Sequence, residues 1–222
     1  MRASEVLALA EHAGVSAGTR VLDLCCGIGG PGRFLVRTFG CTYLGVDQSP
    51  DAIELARERA GGLAAVFRVE RVPPVPAGPF DVVLVLETML AFADKGPLLH
   101  GVAAALDAGG RFACTLEAGA PLTRSEQTRM PAADTVWPMS LGALRTSLDR
   151  LGMAVSWEQD VTDQHRDTAA SLLRAYTANA AAIEAQIGPD ATGDLLAAHR
   201  TWVEWLGTGR IRKHLVVAAK AA

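Results

Sequence analysis

The densest run of chemically useful residues is VLDLCCGIGG, from Val21 to Gly30. An apolar, β-branched strand pattern ends there in a glycine-rich turn, and a helical pattern follows. Gly27 and Gly29 give the backbone tight geometry and let a ligand approach closely. The helix beyond offers unpaired N–H groups to a carboxylate or a phosphate. Asp23 sits inside the apolar run, where a charged and unpaired carboxylate would cost on the order of several kcal/mol. A ligand ammonium, met directly or through water, would relieve it. Asp47 closes the next strand pattern, YLGVDQS, 20 residues after Gly27. A carboxylate at that strand end can accept both hydroxyls of a ribose. The three features fit a nucleoside that carries an amino group and a carboxylate. The dinucleotide fingerprint G-x-G-x-x-G is matched formally by Gly27–Gly32, but the acid inside the first strand fits a dinucleotide less well.

A second set of residues could act on a substrate. His165, in VTDQHRD, follows a strand pattern and would reach the sheet edge where ligands gather in open α/β folds. His199 lies on the apolar face of a late helix, and His214 lies inside the last strand. Each is a candidate general base, and each has the alternative of a hydrogen-bonded structural role. Glu117, Arg124 and Arg129 could set charge complementarity to a substrate. Trp137 and Trp202 could wall a pocket or pack on a cation; Trp202 and Trp205 also read as core. The run Arg210–Lys213 could hold a phosphate or simply form a solvated edge.

The elements that must position these residues alternate between strand and helix, the rhythm of a parallel sheet. Strands are expected at Arg20–Cys25, Thr42–Val46, Ala64–Val69, Asp81–Leu86, Arg111–Glu117, Val155–Val161 and Arg212–Ala219. Helices are expected at the N-terminus and over Pro31–Phe39, Pro50–Ala60, Lys95–Leu106 and Ser140–Leu151, with Ser49 and Ser140 as N-caps. Gly119–Met139 reads as a long connection without a clear period. Asp167–Leu206 reads as a helical excursion, split at Gly188–Pro189.

In that order the segments Asp23–Gly30, Asp47, FDVVLVLE with Glu87, and the L-D-A-G-G-R turn resemble a class I S-adenosylmethionine-dependent methyltransferase. More narrowly they are similar to the small-molecule group that includes sarcosine and natural-product methyltransferases. The resemblance implies an α/β, Rossmann-like, seven-stranded and mostly parallel sheet with the last strand antiparallel. It implies a single domain over residues 1–222, with a helical cap inserted at about 165–208. It implies S-adenosylmethionine as cofactor. Asp23 and Gly27 would line the methionine end, Asp47 would hold the ribose, Gln48 would flank the adenine, and Cys25 and Gly29 would also belong to the cofactor site. Glu87 and Thr88 would face the methionine moiety and the acceptor, which makes Glu87, His165 and His199 the candidate catalytic residues. Where the family usually has glycine this chain has Cys25, so the turn is expected to be shaped slightly differently. The acid after the third strand has Glu70 as its nearest match. Other occupants of the scaffold are a cofactor-retaining cyclase or isomerase, a non-catalytic cofactor-binding module, and an NAD-dependent oxidoreductase.

Composition bounds these readings. The 222 residues are half hydrophobic with a formal charge of −3. That is enough for one α/β core, and it provides no global basic field for a nucleic acid. No membrane or targeting segment is expected, and no metal. The four cysteines have no zinc-ligand spacing and suggest reduced thiols in the cytoplasm. Richness in Ala, Gly, Val and Arg suggests a GC-rich, bacterial source. The expected partner is a small-molecule acceptor, and the oligomeric state is open.

Overall fold

A computed structural model of the chain describes residues 1–130 and 136–221. Among the described residues seven strands form one sheet in the order β3-β2-β1-β4-β5-β7-β6. They are β1 (Arg20–Leu24), β2 (Thr42–Asp47), β3 (Ala65–Val69), β4 (Phe80–Val85), β5 (Leu106–Ala118), β6 (Met153–Asp160) and β7 (Arg212–Lys220). Strands β1 to β5 pair in parallel, and β7 runs antiparallel between β5 and β6. The order reverses between β1 and β4. Chains leaving those two strands turn to opposite sides, and a crevice opens at their carboxyl ends.

Helices cover both faces. Helices α1 (Ala3–His12), α2 (Gly30–Phe39) and α3 (Pro50–Ala60) bury Leu9, Leu35 and Ile53 on one face. Helices α4 (Gly96–Ala105) and α6 (Leu141–Asp149) bury Leu99, Val102, Leu144 and Leu148 on the other. The caps read from the sequence form as expected. Ser49 Oγ accepts from Ala52 N–H at 3.2 Å, and Ser140 Oγ accepts from Ala143 N–H at 3.1 Å. Each such cap contributes about 1 kcal/mol.

Several boundaries differ from expectation. Strand β5 begins at Leu106, because Leu106 pairs with Phe80 across an irregular register ahead of the Val82–Arg111 pair. The long connection holds a short helix, α5 (Arg124–Thr128), closed by a reciprocal cap between Thr123 and Glu126; residues 131–135 of that connection lie outside the described residues. The excursion starts earlier than the sequence suggests. Asp160 Oδ1 accepts from Thr162 N–H at 2.9 Å and starts α7 (Thr162–Ala178) directly after β6. Helices α8 (Ala180–Ile187) and α9 (Pro189–Thr208) follow, parted at Gly188. Trp205, Leu206, Ala169, Leu122 and Ile211 form a separate core under this cap.

Close packing fixes the first turn of α2 over the sheet. A Cβ on Gly32 would lie 2.0 Å from Tyr43 Cζ, and Tyr43 is itself buried. Gly32→Ala is therefore expected to destabilise the fold by about 1–3 kcal/mol through overpacking, read from denaturant midpoints. A midpoint equal to that of the unchanged chain would contradict this packing.

Candidate active site

The turns after β1 and β4 share an unusual backbone. Cys25 has φ 62° and Glu87 has φ 60°, and no other non-glycine residue among those described has a positive φ. A left-handed conformation costs a side-chain-bearing residue roughly 1–2 kcal/mol. Cys25 thus takes up a glycine-like conformation despite its side chain. Gly27 and Gly29 are also left-handed. Gly29 packs under the turn, where a Cβ would meet Phe67 at 2.4 Å, while Gly27 faces open space. Asp47 ties this turn to β2: its Oδ2 accepts from Gly27 N–H at 2.8 Å and its Oδ1 from Ser49 N–H at 2.9 Å.

Two cavities meet at Cys25 and Thr88. One, of about 500 Å³, is bordered by Asp47, Gln48, Glu70, Val72 and Phe92. The other, of about 560 Å³, is bordered by Gly27, Gly30, Phe34, Glu87 and the N-terminal residues Met1 and Arg2. Thr88 Oγ1 is buried without a hydrogen-bond partner at their junction. The structure thus brings together Cys25, Gly27, Asp47, Gln48, Glu70, Glu87 and Thr88.

Asp23 stands apart from the cavity walls. It is buried, and it receives the Tyr43 hydroxyl at 2.5 Å. The expected ligand ammonium is replaced here by a phenol from β2, and the carboxylate lies beneath the turn. Burial pushes its pKa up to about 7, against the lowering effect of the Tyr43 bond, with Asp47 adding to the rise.

A third cavity of about 240 Å³ adjoins the second through Met1 and Glu87. It is bordered by Glu87, Glu117, His165, His199, Leu172 and Trp202. All three candidate catalytic residues, Glu87, His165 and His199, reach it. Behind its Glu87 and Glu117 lies a group that the sequence reading missed. Lys213, with no exposed side-chain surface, pairs with Glu117 and lies 2.8 Å from Glu87 Oε1. Burial lowers its pKa, but the two carboxylates outweigh this and hold it above the ordinary lysine value. Burial raises Glu87, and Lys213 outweighs that to leave it below the usual carboxylate range. His165 is pushed down to about 4, by burial first and then by Lys213, so its ring is neutral at neutral pH. The sequence signal was a lysine directly before His214 and the apolar run Leu215–Ala219 of the last strand.

Other candidates fall elsewhere. Arg129 pairs with Glu204 on the surface, and Arg210 is locked to Glu126 and to the carbonyls of Ala120 and Pro121. With Arg212 bound to Asp160 and Lys213 buried, the run Arg210–Lys213 forms neither a free phosphate patch nor a simple solvated edge. His214 borders a different hollow beside Arg210. Trp137 borders none of the three cavities, and its carbonyl accepts from Lys95 Nζ at 2.7 Å. Trp205 is core, whereas Trp202 borders the third cavity. No group of His, Cys, Asp and Glu among the described residues could hold a metal ion.

A doubly wound sheet in the order β3-β2-β1-β4-β5-β7-β6, with a left-handed turn, a strand-end carboxylate and cavities at the β1–β4 reversal, is a Rossmann-like methyltransferase fold. The family profile described as "Methyltransferase domain" matches residues 21–110. The chain is 33% identical over 111 residues to the methyltransferase GfsG of Streptomyces halstedii, covering 47% of this chain and 40% of that protein. The chain spans less than half the length of that curated relative. Its fold is similar to a putative sarcosine dimethylglycine methyltransferase from Galdieria sulphuraria (TM-score 0.87, 19% identity, 99% of this chain and 84% of that one). It is also similar to a phosphoethanolamine N-methyltransferase 2 of Haemonchus contortus, solved with phosphomonomethylethanolamine and S-adenosylhomocysteine (TM-score 0.84, 20% identity, 99% and 53%). Residues 21–110 thus carry a methyltransferase-domain sequence, and the whole chain has the fold of these structures.

Asp23 gives the site a pH signature. Its pKa rises from 3.8 to about 7 on folding. The folded state therefore holds a proton that the unfolded state releases, and this stabilisation is lost as pH rises towards 7. The expected slope is at most about 1.4 kcal/mol per pH unit. His165 works with opposite sign between about 4 and 6.5, so the informative quantity is the difference between variants. Asp23→Asn should remove the loss of stability between pH 4 and 7 in urea titrations; identical pH profiles for variant and parent would contradict the buried, protonated Asp23.

Proposed function

We propose that the chain binds S-adenosylmethionine across the two larger cavities and transfers its methyl group to a small molecule held in the third. The observation that carries this reading is the junction at Cys25 and Thr88. There the cavity beside Asp47 opens into the cavity beside the glycine turn, at the reversal of strand order. The residues present suit the cofactor. Asp47 keeps a free lone pair on each oxygen for ribose hydroxyls, even with its two backbone bonds made. Gln48, Glu70 and the apolar Val72 and Phe92 suit an adenine ring. Thr88 Oγ1 is an unpaired polar atom in place for the amino-acid part. Arg2 borders the same cavity and fastens to the cap, donating to Gln164 O at 2.9 Å and Thr168 Oγ1 at 3.2 Å.

The bound cofactor supplies a sulfonium whose methyl carbon is electrophilic. The chain's own task is then to align an acceptor, and well-oriented systems gain on the order of 7–11 kcal/mol in this way. Cap residues His165, Leu172, His199 and Trp202 wall one side of the third cavity, and a bound acceptor would displace water from it. Neutral His165 and the carboxylates of Glu87 and Glu117 are the groups placed to receive an acceptor proton, and general-base help is worth about 10²–10⁴-fold. We read residues 1–222 as one domain with α7–α9 as its cap. A bacterial cytoplasm suits the four free cysteines. No helix among the described residues is long and apolar enough to cross a membrane.

Calorimetric titration tests the reading. S-adenosylmethionine and S-adenosylhomocysteine should bind and NAD should not, and Asp47→Ala should weaken binding about tenfold or more with the far-UV spectrum unchanged. Tight NAD binding, or an affinity indifferent to Asp47, would overturn it. Formation of S-adenosylhomocysteine with an acceptor then separates transfer from cyclisation and from sensing.

A further inference from the structure

We infer that the 240 Å³ cavity is built to hold the nitrogen of a small amine, which identifies the chemical class of the methyl acceptor; this rests on the function proposed above. The first argument is charge. Two carboxylates, Glu87 and Glu117, border the cavity, and the ammonium they share, Lys213, is buried behind them. His165 adds no charge at neutral pH. The amino group of Met1, near enough to lower Glu87 and His165, is the other cation at this cavity, and it lies on the opening shared with the larger one. An anionic acceptor would face two carboxylates at close quarters.

The second argument is hydrogen-bond capacity. Glu117 is 3% exposed, and its Oε2 has no partner. A carboxylate oxygen can only accept. His199 Nδ1 lies 2.8 Å from the carbonyl of Leu195; a carbonyl also only accepts, so Nδ1 carries a proton and is used within the helix. The buried atom left without a partner beside this cavity, Glu117 Oε2, is therefore an acceptor. It calls for a ligand that donates. An ammonium brings up to three N–H groups, a hydroxyl one, and a carboxylate none. The remaining wall is Leu90, Ala169, Leu172 and the Trp202 ring, which suits an apolar substituent and the face of a cation.

The chemistry balances. The ammonium first gives a proton to Glu117 Oε2. The nitrogen lone pair then forms the new N–C bond as the S–C bond breaks, and that bond's electron pair stays on sulfur as a neutral thioether. The positive charge passes from sulfur to nitrogen, where the Glu87 carboxylate faces it, while Glu117 holds the proton taken from the ammonium.

Three probes of one shape test this: benzylamine, benzyl alcohol and benzoate, titrated calorimetrically into the full chain, with and without S-adenosylhomocysteine. Benzylamine should bind at least about tenfold tighter than benzyl alcohol, since hydrogen bonds to charged groups are the stronger kind, and benzoate should show no binding. Glu117→Gln should shrink the amine preference to within about threefold, and the parent ranking decides the matter if that variant does not fold. Leu172→Trp, which fills the cavity, should abolish binding of all three probes. Equal or tighter binding of the alcohol or of benzoate, or no amine binding at all, would overturn the inference. Failure of S-adenosylhomocysteine to bind would instead count against the function proposed above, while the ranking on the free protein would still decide the amine site.

Discussion

Two parallel neighbours, β1 and β4, must end side by side and send their chains away to opposite faces. That requirement shapes the rest of the molecule. Both strands are buried on both sides, so neither can end in water with its side chains loosely placed. Each instead turns sharply through a left-handed residue, Cys25 in one case and Glu87 in the other. These turns leave a crevice whose floor is backbone. Asp47, arriving at the end of β2, fastens the first turn through the Gly27 N–H. The strain at two non-glycine positions is held in place by the surrounding packing, and both positions border the cavities.

The second constraint is a buried lysine. Lys213 sits on β7, which lies between β5 and β6, and its ammonium has no contact with water. An ion so placed is tolerated only when its partners are well positioned, and removing one partner from such a pair typically costs about 3–5 kcal/mol. Glu117 from β5 and Glu87 from the β4 turn supply those partners. Lys213 thereby links the antiparallel edge of the sheet to the crevice at its centre. It also adds to the burial that keeps His165 neutral. The cap helices α7 and α9 close over this polar floor with Ala169, Leu172 and Trp202. The result is a small chamber, apolar above and acceptor-rich below.

Much of this was legible in the sequence, for local reasons. The glycine turn, the strand-end Asp47, and the serine caps at Ser49 and Ser140 depend on residues a few positions apart. The strands buried on both faces announce themselves by unbroken apolar runs. Helix α5 had its signal in Thr123-x-x-Glu126, but the run is too short for periodicity to show. The partners of Asp23 and Lys213 were not legible. Tyr43 meets Asp23 through the parallel register of β1 and β2, in which Asp23 stands opposite Gly45. Lys213 meets Glu117 because β7 runs antiparallel beside β5. Register is a tertiary outcome, and no spacing along the chain encodes it directly.

The central claim is that one ligand spans the crevice from Asp47 to the glycine turn. A crystal structure with S-adenosylhomocysteine tests it most directly. The account predicts ribose hydroxyls within hydrogen-bond distance of Asp47, the adenine between Gln48 and Val72, and the sulfur on the Thr88 side of the junction, facing the chamber of Glu87 and Glu117. Density for the ligand at any other surface, or an adenine lying beside Phe34 and Arg2, would contradict it.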